Sequence, residues 1–365
     1  MLNNWLHPVA TPLIKKVKQL SEDRMGKNIL LFIDDLPDLK KAKIAIIGID
    51  ETEANKVRES FYALSFPFKK FEIADLGNIR KKDNSFIIPV IEELISSNIF
   101  PVIIGKNAES ILAQYLAYQS QGELVNLACI DETIDYSFNS GETVLNRIID
   151  KKESHLFNLS LIGYQTHFVA PKVVAAIEEK NYDCIRLGVA KTALDQLEPV
   201  IRDADLLSFN LTSLKQSEAP GVVRASPNGF FADEACQISR YAGMSEKLSS
   251  IGFYGFDSKL DRDQQTAQVV AQLMWYFIDG FYGRENDFPI SSKSLVEYVV
   301  ESKVNGLDVR FWKSANSGRW WMQVPVKTHR KLKRHRLIPC SYHDYQSACR
   351  EDIPDRLISA FKRFV

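Results

Sequence analysis

Seven short apolar runs punctuate the chain: KIAIIGI (43–49), FPVIIG (100–105), LVNLACI (124–130), LSLIGY (159–164), DCIRLG (183–188), ADLLSFN (204–210) and LSSIGFYGF (248–256). None alternates strictly between apolar and polar positions, which predicts strands covered on both faces. Between them the apolar spacing turns helical, over 88–97, 109–119, 169–179, 232–242 and 264–283. In the last of these Val269, Val270, Leu273, Met274, Phe277 and Ile278 share one side, a stripe that reads as a core face. Strand and helix in alternation predict an α/β fold of three layers, α/β/α, around a mostly parallel sheet. Ligands of such sheets sit beyond the carboxyl ends of the strands.

The polar residues at four predicted strand ends are therefore the candidate chemistry. Lys106-Asn107-Ala108-Glu109 follows the 100–105 run, Asp131-Glu132-Thr133-Ile134-Asp135 follows 124–130, Asn210-Leu211-Thr212 closes 204–210, and Asp257 follows 248–256. Two aspartates four apart at a strand mouth can bind a cation or accept backbone N–H groups.

The same stretches resemble the ureohydrolases: arginase, agmatinase and especially formimidoylglutamase. PVIIGKNAES lies where that family has a GG-x-H turn, and FEIADLGNI (71–79) resembles its segment leading to D-x-G-N. LSFNLTSLKQSEAPGV (207–222) resembles S-F-D-x-D…APG, FFADEACQISRYAG (230–243) the helix after it, and KLDRDQQTAQVVAQL (259–273) the last helix. The motifs keep the family's order across most of 40–285. The resemblance implies an arginase-like fold and hydrolysis of a guanidino or formimino group by water held between two Mn²⁺ ions, a mechanism that needs both cations. It also implies a homo-oligomer.

The departures change that expectation. Ala108 stands where the family's metal-binding His falls, Thr133 replaces the middle His between Asp131 and Asp135, and Asn210 and Thr212 replace two aspartates. Gly255 falls at the substrate-facing Glu, and the loop after the first strand is reduced to ETEANK. Two aspartates cannot offset two divalent ions. The expectation is a pseudoenzyme with a degenerate metal site, a non-catalytic binding or scaffolding protein. It has no cofactor, or one weakly held Mn at Asp131 and Asp135. The alternative is a metal-dependent hydrolase of C–N bonds in guanidino or formimino compounds. A small guanidino or amino-acid ligand held without turnover is a third option.

Charge and composition narrow the partners. Lys and Arg total 46, as do Asp and Glu, so the whole molecule has no field to steer it to nucleic acid or an anionic membrane. No apolar run is long enough to span a bilayer, since VVAQLMWYFIDGFYG is interrupted by Asp279. Five scattered cysteines without a C-x-x-C pair fit a reducing compartment, and with no clean signal pattern at the first residues the expectation is cytoplasmic. No G-x-S-x-G, P-loop or G-x-G-x-x-G motif supplies another catalytic set. Cys129 reads as a core thiol, His155 and His167 stand outside any ligand motif, and Arg224 reads as a loop arginine or one facing the pocket.

The chain divides into a ureohydrolase-like part, 1–283, with a lead-in over 1–40, and an extension, 284–365. The extension carries VRFWKSANSGRWWMQVP with a turn at Ser317-Gly318, a basic run at 327–336, and one or two closing helices with Pro354 at a helix start. Trp312, Trp320 and Trp321 are expected to dock this extension on the main body or to form a partner surface. The basic run reads as a solvated loop.

Overall fold

The computed structural model describes residues 2–122, 124–138, 143–151, 154–301, 308–326 and 335–364. Residues 327–334 of the basic run lie outside the described residues.

The apolar runs form the predicted strands. These are β3 (Ala42–Gly48), β5 (Phe100–Ile104), β6 (Val125–Ile130), β7 (Leu156–Tyr164), β8 (Asp183–Arg186), β9 (Leu206–Asn210) and β10 (Ser250–Tyr254). FEIADLGNI, read only as a motif, is itself a strand, β4 (Glu72–Ile79). Two short strands, β1 (Leu6–His7) and β2 (Leu30–Leu31), both pair with β4. Among the described residues the sheet has ten strands in the order β1-β4-β3-β5-β10-β9-β6-β7-β8 with β2 beside β4, and only β1 runs antiparallel.

Alternate residues of β3 feed different cores. Ile44 and Ile46 join the core that holds the helices Ala232–Met244 and Gln265–Tyr282, whereas Ala45 and Ile47 join the one that holds Asn84–Ser96 and Pro171–Glu179. Two-sided burial leaves no solvent face on which polar residues could alternate, so the central runs are continuously apolar; β8, at the sheet edge, is not covered on both faces as expected and has no buried residue. The molecule is a three-layer α/β/α fold. All six stripe residues from Val269 to Ile278 are buried, and each contributes about 1.5–3 kcal/mol on leaving water.

Local chemistry moves some ends. The 169–179 helix starts at Pro171, whose missing N–H costs nothing at a first turn. The 109–119 pattern splits into a 3-10 turn, Ala108–Ser110, and a short helix, Ile111–Leu116, because Asn107 caps the turn by accepting from the Glu109 N–H. ETEANK is the opening of a helix, Glu51–Tyr62.

Beyond residue 284 an antiparallel sheet forms, with β11 (Leu295–Val300), β12 (Val309–Ser314), β13 (Trp320–Gln323) and β14 (Leu337–Cys340) in sequence order. Ser317-Gly318 makes the expected turn between β12 and β13, with Gly318 at φ +74. Two helices follow, Tyr342–Cys349 and Asp355–Phe364, the second just after Pro354. The tryptophans divide their work. Trp321 docks on the main body, its ring 4.4 Å from the Arg202 guanidinium. Trp320 instead stacks on Tyr345 at 4.8 Å inside the extension's own core, so its ring does not dock the extension as expected. Arg202 Nη2 donates to the Trp320 and Cys340 carbonyls at 3.0 and 3.3 Å, tying the sheets together. Trp312 is half-buried and outside that core.

Candidate functional site

The strand order places β5, β10, β9 and β6 side by side at the centre of the sheet. Their carboxyl ends are the four polar segments singled out above, so residues far apart in sequence converge there.

Asp131 is the hub. Its Oδ2 accepts from Asn210 Nδ2 at 2.7 Å, and its Oδ1 accepts from Thr212 Oγ1 and the Thr133 N–H, both at 3.2 Å. Both carboxylate oxygens are thus occupied by neutral donors from β9 and from its own loop. Burial pushes the Asp131 carboxyl above its ordinary pKa, against the pull of these hydrogen bonds.

A cavity of about 90 Å³ opens beside it, lined by Ala108, Glu109, Asp131, Thr133, Asp135 and Ser208 among others. The structure therefore brings together Asp131, Asp135 and Ala108. Asp135 is exposed, its pKa raised by desolvation and by Glu109 and lowered by the Val144 N–H and Arg224. Glu132 turns inward and is 3% exposed, with Oε2 lacking a hydrogen-bond partner among the described residues. Burial, then the Asp131 charge, lift its pKa to about 7, and Arg224 opposes them. Arg224 is exposed, and its charge opposes the rise at both Glu132 and Asp135.

A second set spans β5 and β10. Lys106 Nζ pairs with Asp257 at 2.7 Å, and the Lys106 N–H donates to Asp50 Oδ2 at 2.7 Å. Asp50 also pairs with Lys82, and the buried Glu53 accepts from Ser258 Oγ at 3.2 Å. The bond to Asp257 raises the Lys106 pKa and lowers that of Asp257. Asp50 and Glu53 escaped the sequence reading because ETEANK carries no motif; only the fold turns them toward the strand ends.

Gly255 closes the set. It sits at φ +93, and a Cβ there would come within 2.5 Å of Asn210 Oδ1. The space a glutamate would need is filled by the Asn210 amide.

The remaining candidates fall elsewhere. His155 precedes β7 at the opposite end of the sheet, and His167 lies in the exposed turn after β7, against Phe168 at 4.2 Å. Cys129 is a buried thiol whose pKa burial pushes up. Among the described residues no group of three His, Cys, Asp or Glu is placed to hold a metal. The donor set is poor for two divalent ions: the residues that meet at Asp131 from the end of β9 are an amide and a hydroxyl, Asn210 and Thr212, rather than carboxylates or imidazoles.

A formimidoylglutamase of Staphylococcus epidermidis is 22% identical over 277 residues, covering 70% of this chain and 86% of the relative. Among solved structures, the oxidized Trypanosoma cruzi formiminoglutamase with Mn²⁺ at pH 8.5 superposes with a TM-score of 0.60 at 18% identity, covering 67% of this chain and 94% of that one. The Bacillus subtilis formimidoylglutamase superposes with a TM-score of 0.59 at 16% identity, covering 75% and 100%. These likenesses establish the fold. The arginase family model matches residues 50–279, from the cap of the Glu51–Tyr62 helix almost to the end of the last core helix, and so the chain belongs to the arginase family.

Proposed function

We propose that this chain is a non-catalytic member of the arginase family that acts by binding. One observation carries the reading: Asn210 and Thr212 hold the two oxygens of Asp131, at 2.7 and 3.2 Å, with hydrogens where a metal centre needs lone pairs. Water activation between two ions requires those lone pairs. The strand-end pocket then serves recognition of a small guanidino or amino-acid ligand, and the appended sheet serves a protein partner or a second copy of the chain. Nucleic acid fits neither, given a net charge of zero. All five cysteines are unpaired, in keeping with a reducing cytoplasm.

A second reading has one observation in its favour, that Glu109, Asp131 and Asp135 line the same cavity. A single Mn²⁺ held there would support a remodelled hydrolase of C–N bonds.

The test is metal content by mass spectrometry after incubation with excess Mn²⁺ and removal of loose ions, with arginine, agmatine and formiminoglutamate assayed in parallel. The expected result is no bound metal and no turnover. About two Mn per chain would overturn the proposal. A value of about one, abolished by Asp131→Ala with Asp135→Ala and accompanied by turnover, would establish the second reading.

A further inference from the structure

At the opposite end of the sheet lies a groove of about 680 Å³. That size falls inside the roughly 300–1,000 Å³ of small-molecule sites. Lys43 in β3, Phe100 at the start of β5 and Ser249 just before β10 line it, which places it at the amino ends of the strands. Arg284 and Ile290 line it too, so the appended segment contributes to the groove.

One wall is aromatic. Phe71 lies 5.2 Å from Phe281 and 6.1 Å from Tyr282, and all three rings are half-buried and line the groove. The Arg284 guanidinium stacks 3.9 Å over Phe281, while its Nε and Nη2 donate to the Gly243 and Leu248 carbonyls at 2.9 and 3.2 Å. No carboxylate forms an ion pair with Arg284 among the described residues. Glu246 attracts it, but the Glu246 Oε1 is held by the Glu285 and Asn286 N–H groups at 2.9 and 2.8 Å. Burial pulls the Arg284 pKa down to about 10, against the attraction of Glu246. Lys70 lies 4.6 Å over the Tyr282 ring and donates to the Tyr282 carbonyl at 3.3 Å. Lys43 is exposed and has no ion-pair partner among the described residues. Lys247 and Asp205, also in the groove, offset each other at 3.6 Å. His335 completes the rim.

We propose that this groove binds a small organic anion with a flat aromatic body, its ring against Phe71, Phe281 and Tyr282 and its anionic group among Lys43, Lys70 and Arg284. The aromatic wall gives a flat ring apolar contact, and the two exposed lysines with the Arg284 guanidinium on the same groove take up the charge. The site is independent of the strand-end pocket and of the reading given to it.

Calorimetric titration of the full chain with AMP and with phenyl phosphate tests the assignment, with adenosine and inorganic phosphate as half-probes. The expected result is that at least one aromatic phosphate binds and that both half-probes bind more weakly. Lys43→Glu with Lys70→Glu, two exposed positions, should weaken binding about tenfold or more while the variant still unfolds in one cooperative transition. Arg284→Met should weaken it as well. Three results overturn the assignment: no binding of either aromatic phosphate at millimolar concentration, binding that the double variant leaves intact, or inorganic phosphate binding as well as its aromatic esters.

Discussion

Asn210→Asp is the sharpest probe of the strand-end site, since it restores a carboxylate where the family carries one. In the native chain the Asn210 amide donates to Asp131 at 2.7 Å. The variant places two carboxylates in that contact. Their Coulomb repulsion at ~4 Å, with an effective dielectric of ~20 for a partly buried site, is about 4 kcal/mol. The lost hydrogen bond to a charged acceptor adds about 1.5–3 kcal/mol. A proton shared between the carboxylates removes the repulsion, at about 1.4 kcal/mol for each pH unit above the ordinary carboxyl pKa. At pH 8 the proton costs about 5–6 kcal/mol, as much as the repulsion and the lost hydrogen bond together, so whichever form prevails the variant loses roughly 5–6 kcal/mol. At pH 5 the proton binds, an O–H replaces the lost donor, and the loss shrinks to about 1–2 kcal/mol. The sign follows from linkage: the folded carboxyl pair has a raised pKa, so the folded state binds more protons than the unfolded one and stability falls as pH rises. Urea denaturation of both proteins in chelator at pH 5 and pH 8 measures the difference. Added Mn²⁺ should recover part of the loss at pH 8 for the variant alone, through binding to the native state. A variant as stable as the native chain at pH 8 in chelator would refute the Asp131–Asn210 contact and with it the case against a metal pair.

Three further outcomes are expected. Asp75→Asn should cost about 3–5 kcal/mol in urea, because the fully buried Arg58 loses its two-pronged ion pair at 2.8 and 3.0 Å and stays charged. Gly255→Ala should cost about 1–3 kcal/mol in thermal unfolding, from φ +93 and a Cβ 2.5 Å from Asn210 Oδ1. Glu132→Gln should be more stable than the native chain above pH 7: the folded Glu132 pKa is raised from 4.5 to about 7, so its ionised form destabilises the fold progressively across that window. The gain should vanish in melting curves below pH 4.5.

The sequence by itself determined the layers of this protein and the identity of its strand-end residues. Burial on both faces writes a strand as an unbroken apolar run, and a helix face writes itself at helical spacing; both signals are local, so β3, β5, β6, β9, β10 and the Gln265–Tyr282 helix were legible. The replacements at Ala108, Thr133, Asn210, Thr212 and Gly255 were equally plain, because motif order is a property of the chain. Other facts came only with the tertiary structure. Asn210 and Thr212 reach across to Asp131, Lys106 pairs with Asp257, and Arg202 pins the extension through Trp321 and two carbonyls. Asp131 and Asp135 look equivalent in LACIDETIDYS, yet the first is held by neighbouring side chains and the second faces solvent. The amino-end groove joins Lys43 and Lys70 to Arg284, residues that no local pattern connects. The order of strands decides which distant loops meet, and that order follows from how whole faces are buried rather than from any one segment.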